Sequence, residues 1–142
     1  MSLDFSILRH ANELRLPQFK DRQGNRAHDY PDGSDWTAAD WAVAALGEAG
    51  ELCSELKKAR RGDYGYEVKR CMREQDYKNL DPVVKAKILK EVADVIIYLD
   101  IFTKQFGEDT GRVVISKFNE VSERVGADVF ITESGTGVTN RP

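Results

Sequence analysis

Glu48, Glu51 and Glu55 stand at i, i+3 and i+7 in the stretch G-E-A-G-E-L-C-S-E. At ~100° per residue they fall within roughly 60° of a helix circumference. Glu91, Asp94 and Tyr98 repeat that spacing in E-V-A-D-V-I-I-Y. On a helix, Trp41, Ala45 and Leu52 project near the face of Glu48, and Ile88, Val95, Leu99 and Phe102 near the face of Glu91. These carboxylates therefore lie within or beside an apolar stripe. Burying them unpaired is expensive, and several together repel. Basic partners, protonation or a metal can compensate. No Lys or Arg interrupts 40–56 or 91–103, and Lys57, Lys58, Arg60 and Lys90 stand only at the edges. A divalent cation resolves the conflict better, and all-oxygen ligation favours Mg²⁺, Mn²⁺ or Ca²⁺. His10 and His28 lie outside both segments, which argues against zinc and against a Glu-x-x-His di-iron bundle. Taken singly, each acid reads as a solvated surface charge. Two matching pairs on apolar-flanked helices point instead to a metal site.

Four helices must position these groups. Residues 3–16 carry Leu3, Ile7, Leu8, Ala11 and Leu14 at helical spacing, ended by Pro17. The polar stretch 18–35 reads as a loop. Ser34, Asp35 or Thr37 caps a second helix that runs to about Arg60 and stops at Gly62. Lys57, Lys58, Arg60 and Arg61 complement the negative end of its dipole. Residues 62–80 read as an inserted loop, with a short helix over Glu67–Asp76 as the alternative. Asp81 and Pro82 open a third helix that runs to about Phe106 and ends at Gly107. A fourth spans about Thr110–Val125 and ends at Gly126. The tail from 131 to 142 reads as flexible or extended, with a short strand conceivable in D-V-F-I-T.

The 142 residues suit one domain over 1–130, or one subunit of an assembly. A hydrophobic share of 41% supports a core, while 32% charged residues exceed the usual ~25%. The expected fold is an all-α bundle of four main helices, completed by homo-oligomerisation because the core is modest. A net charge of −3 argues against nucleic-acid binding. No apolar stretch approaches the ~18 residues of a membrane span, and the N-terminus lacks a signal-peptide pattern. Cys53 and Cys71 suggest reduced thiols and a cytoplasmic protein rather than a disulfide framework.

With G-E-A-G-E-L on one helix and K-E-V-A-D-V-I-I-Y-L on a later one, the chain resembles the MazG-like nucleotide pyrophosphohydrolases of the all-α NTP pyrophosphatase superfamily. That motif is E-E-x-x-E followed by E-x-x-D. Gly47 stands where its first Glu would be; Glu48, Glu51, Glu91 and Asp94 match the rest. K-F-N-E-V-S-E-R resembles the family's Lys-x-Asn segment, and K-K-A-R-R-G resembles one subgroup. The likeness covers about residues 36–126, with a longer than usual connection from Gly62 to Leu80. It implies Mg²⁺-dependent (or Mn²⁺-dependent) hydrolysis of a nucleoside triphosphate to monophosphate and pyrophosphate. It also implies a homodimer or homotetramer, with Glu48, Glu51, Glu91 and Asp94 as metal ligands. Either Glu48 or Glu51 is then the base that orients the attacking water.

Lys117, Asn119 and Arg124 are candidates for phosphate and sugar contacts; the alternative is an exposed basic stripe. Lys58 reaches toward a triphosphate or simply caps its helix. Tyr98 hydrogen-bonds a phosphate, stacks near a base, or is a half-buried core residue. Trp41 stacks on a base or packs in the core, and Trp36 suits a hydrophobic staple. Two rival functions remain: a non-catalytic helical binding or assembly module, and a metal-dependent hydrolase of another phosphorylated nucleotide.

Overall fold

A computed structural model describes residues 4–65, 68–70 and 77–140. These residues are mostly helical, in four main helices: α1 (Phe5–Arg15), α2 (Ala38–Arg61), α3 (Pro82–Lys104) and α4 (Thr110–Val125). Two short 3₁₀ turns, Leu16–Gln18 and Tyr77–Asn79, and a two-stranded hairpin complete the order. No helix among the described residues is long and apolar enough to cross a membrane.

Local signals set the helix ends. Asp4 accepts from the Ser6 amide at 2.7 Å to open α1. Thr37, rather than Ser34 or Asp35, caps α2. Its hydroxyl accepts from the Asp40 amide while Asp40 accepts from the Thr37 amide, a reciprocal capping box. Trp36 just before the cap packs on Trp41 four positions into the helix, ring centroids 4.8 Å apart. That contact is the hydrophobic staple expected from the spacing. Gly62 ends α2 at φ 86, in the left-handed region open to glycine. The Asp81 carboxylate accepts from the Val83 and Val84 amides, with Pro82 at the first helical position of α3.

The chain divides into two compact units, Trp36–Leu99 and the pair of segments Met1–Asp35 and Asp100–Pro142. The Trp36–Leu99 unit holds α2 and most of α3. Trp41 meets Tyr98, with ring centroids 6.4 Å apart, and Ala59 clusters with Val84 and Ile88. Early residues of α2 thus face late residues of α3, so the two helices run antiparallel. Val68 and Leu80 join that apolar cluster, and residues 68–70 are helical. Val68 and Leu80, in the stretch read as an inserted loop, thus cover the far end of the helix pair. The remainder of the expected Glu67–Asp76 helix, including Cys71, lies outside the described residues. Cys53 is exposed and free. Leu99, read as projecting near the face of Glu91, is 44% exposed.

The other unit holds α1, α4 and the hairpin. Asp100 is fully buried and collects four side-chain hydrogen bonds. Arg9 donates from Nε at 3.2 Å and from Nη2 at 3.0 Å, Asn12 from Nδ2 at 2.9 Å, and Thr110 from Oγ1 at 2.6 Å. Phe130–Ile131 pairs antiparallel with Val138–Thr139, and Phe130 is buried. Part of the 131–142 segment, read as flexible or extended, thus pairs in a hairpin. A clasp from α4 explains why: the Asn119 amide nitrogen donates to the Ile131 carbonyl at 2.9 Å, and its oxygen accepts from the Ile131 amide at 2.8 Å. Asn119→Ala should remove both bonds and lower stability by about 1–3 kcal/mol. Hydrogen exchange should quicken at Ile131 first; unchanged protection there would show that the clasp does not hold the hairpin.

Candidate metal centre

The antiparallel pairing sets Glu48 of α2 against Glu91 and Asp94 of α3. Carboxylate oxygens of these three residues all lie within 4.8 Å of one another, and each side chain is half-buried. The i, i+3 spacing of Glu91 and Asp94 puts both on one face of α3, and Glu48 enters from across the pair. The Trp41–Tyr98 contact and the apolar cluster at Ala59, Val84 and Ile88 hold the two helices on either side of this point.

The electrostatics are those of crowded like charges. Burial pushes the Glu48 carboxyl above the usual glutamate value, and the charges of Glu51, Asp94 and Glu91 push it further. Glu51 is exposed and lies outside the three-carboxylate group, although its charge acts on Glu48. It belongs to the neighbourhood of the site rather than to the observed cluster. Three oxygen donors at this separation fit a hard divalent cation, and neither histidine stands among them. A bound cation would offset the repulsion that raises Glu48.

The remaining candidates have varied placements. Glu55, in register with Glu48 and Glu51, is drawn off by other partners. Tyr64 Oη donates to its Oε2, Lys58 Nζ donates to its Oε1, and together they hold its carboxyl below the usual range. Lys58 is thus ion-paired beside the site. Tyr98 is half-buried on the Asp94 face and packs on Trp41. Trp41 is 0% exposed, its ring packed on Trp36 and Tyr98, which is the core placement read from the sequence beside base stacking. Lys117, Asn119 and Arg124 belong to the other unit. Lys117 pairs with Glu120 on an exposed face, Arg124 is exposed in the last turn of α4, and Asn119 is the hairpin clasp. Ile131 engages both ends of the Asn119 amide, a structural role beside the sugar or phosphate contact read from the sequence.

Two polar residues escaped the sequence reading. Asp100 stands alone in the apolar run Y-L-D-I-F, and that isolation was the available signal. Tyr64 lay inside a segment taken for a loop, and nothing local marks it as the partner of Glu55. Scans against protein-family models, curated proteins and solved structures found no match to this chain.

Proposed function

We propose that the chain is a Mg²⁺-dependent nucleoside triphosphate pyrophosphohydrolase, releasing a nucleoside monophosphate and pyrophosphate. The carrying observation is the convergence of Glu48, Glu91 and Asp94 from two helices, with oxygens within 4.8 Å. The motif likeness to the MazG-like enzymes supplies the reaction, and the chemistry of the donors supplies the ion.

Glu48, Glu91 and Asp94 would hold the divalent ion, with Mn²⁺ as a substitute. When bound, such an ion neutralises phosphate charge and lowers the pKa of water. Glu51 is the carboxylate left over: exposed, beside the cluster, and available to accept a proton from the attacking water. Trp36, Trp41 and Tyr98 brace the end of the site where α2 begins, keeping Glu48 opposite Asp94. Val43 and Leu46 on α2, and Leu89 and Ile96 on α3, are 68%, 70%, 54% and 42% exposed. These apolar faces support pairing with a second copy of the chain.

The test is a panel of ribo- and deoxyribonucleoside triphosphates, each incubated with Mg²⁺ and with excess chelator, and resolved by ion-exchange chromatography. Metal-dependent monophosphate plus pyrophosphate is expected from at least one substrate. Diphosphate plus phosphate would place the cut at the wrong bond. No turnover across the panel would shift the reading to a binding module or to another phosphorylated nucleotide.

A further inference from the structure

The acidic cluster is one end of a longer polar strip. Glu55 stands seven residues after Glu48 on α2, and Lys87 stands four residues before Glu91 on α3. Both spacings return to the cluster side of their helices, toward the end where α2 finishes and α3 begins. There Glu55 accepts from Tyr64 and Lys58, and the Lys87 ammonium lies 4.8 Å from the centroid of the Tyr64 ring. Lys87 also acts electrostatically on Glu55.

An exposed lysine ordinarily keeps its ammonium in water on a freely rotating stem. Here two ammonium groups gather around one Tyr64–Glu55 pair. Among the described residues gathered here, one carboxylate faces two ammonium groups, a surplus of positive charge. Arg61 nearby is already balanced by Asp63 at 2.7 Å. The other end, at Glu48, Glu91 and Asp94, carries surplus negative charge. The four residues from Lys87 to Glu91 span about 6 Å of helix axis, one turn. A ligand matched to both ends carries a cation at one and anionic oxygens at the other. A polyphosphate chain chelating a divalent ion has that form.

We propose that Lys87 and Lys58, braced by Tyr64 and Glu55, form a subsite for the distal phosphates of a metal-chelated polyphosphate chain. The proposal rests on the metal-site reading of Glu48, Glu91 and Asp94. Lys87 contributes a point charge and up to three donors, which suits phosphate oxygens. The Tyr64 ring holds that charge by cation–π attraction without neutralising it. Lys58 exchanges its Glu55 partner for phosphate when the chain enters.

The experiment uses the full-length protein and inorganic tripolyphosphate, titrated by calorimetry in the presence of Mg²⁺. Wild type, Lys87→Ala, Lys87→Arg and Lys85→Ala are compared, with Lys85 as an exposed lysine of the same helix. Lys87→Ala should weaken tripolyphosphate binding about tenfold, while Lys87→Arg and Lys85→Ala stay within about twofold of wild type. Mn²⁺ affinity without the anion should be unchanged in Lys87→Ala, which separates a lost phosphate contact from a disturbed metal site. With a nucleoside triphosphate that turns over, Lys87→Ala should raise KM about tenfold and leave kcat within about twofold. Equal tripolyphosphate affinity in wild type and Lys87→Ala, or an equal loss in Lys85→Ala, would overturn the proposal. Lys87-dependent tripolyphosphate binding without turnover of any nucleotide would uphold the subsite, assign it to an inorganic chain, and reject the nucleotide hydrolase reading.

Discussion

Asp94→Asn is expected to cut triphosphate turnover on the order of 10²–10³-fold, with no loss of thermal stability in metal-free buffer. The substitution removes one of the three clustered carboxylates proposed to hold the ion and keeps the side-chain shape. Loss of activity follows because Glu48 and Glu91 alone offer too little charge to hold a divalent ion against water. Retained or raised stability follows because Asp94 is one of the charges that push Glu48 above the ordinary glutamate value, after burial and Glu51. A carboxyl raised in the folded state binds its proton more tightly there than in the unfolded chain. Its contribution to stability is complete below the unfolded value and is lost as pH rises through the raised folded value. Metal-free wild type should therefore lose stability as pH climbs through that window, and Asp94→Asn should lose less. Saturating Mg²⁺ should restore wild type, by about 2.7 kcal/mol at a hundredfold excess over Kd, and do little for Asp94→Asn. Thermal scans across pH, with and without Mg²⁺, check both halves. Unimpaired turnover by Asp94→Asn would sink the metal-centre reading. A Tm in wild type indifferent to Mg²⁺ would do the same.

The second large effect concerns stability alone. Asp100→Ala is expected to cost about 3–5 kcal/mol, because it strands Arg9, Asn12 and Thr110 around a vacated buried position. Against a typical total of about 5–15 kcal/mol, that loss leaves much of the protein unfolded or close to it. Asp100→Asn keeps the volume and should fall between. The pH dependence has the opposite sign to that of Glu48. Burial by itself would raise the Asp100 carboxyl, but the hydrogen bonds from Arg9, Thr110 and Asn12, and the Arg9 charge, outweigh it and hold the group below the usual range. Its stabilisation is present above the unfolded carboxylate value and is lost as pH falls through the lowered folded value. Urea titrations at neutral and acidic pH should show wild type losing more on acidification than Asp100→Asn. A denaturation midpoint unmoved by Asp100→Ala would show that the buried network contributes no net stability.

The two carboxylates differ although both sit in helix α3 among apolar neighbours. Asp94 meets other acids, so its surroundings favour a cation from outside. Asp100 meets Arg9 and two neutral donors, so its charge is satisfied within the chain. On the proposed function, activity and folding should therefore respond separately to substitutions on one helix.

Much of the secondary structure was legible because helix ends are local. Pro82 after Asp81 and the glycines at 62, 107 and 126 act within a few residues of themselves, whereas the cap of α2 stayed open among Ser34, Asp35 and Thr37 until the Thr37–Asp40 pair decided it. The convergence of Glu48 with Glu91 and Asp94 was legible for a related reason: helical register fixes which side chains share a face, and apolar flanks indicate which face turns inward. Register alone did not separate Glu48 from Glu51 and Glu55, which share an arc. Tertiary structure separated them: α3 brings Glu91 and Asp94 to Glu48, Tyr64 and Lys58 claim Glu55, and Glu51 stays exposed. Trp41 was ambiguous until Trp36 and Tyr98 covered it. The role of Asn119 depended on a hairpin twelve residues away, and that of Asp100 on an arginine ninety-one residues away. By itself the sequence indicated roughly where the four main helices lie and which acids share a face, since caps and register act over a few residues. Which acid meets an acid and which meets a base was decided only by tertiary structure, because a charge responds to its neighbours in space.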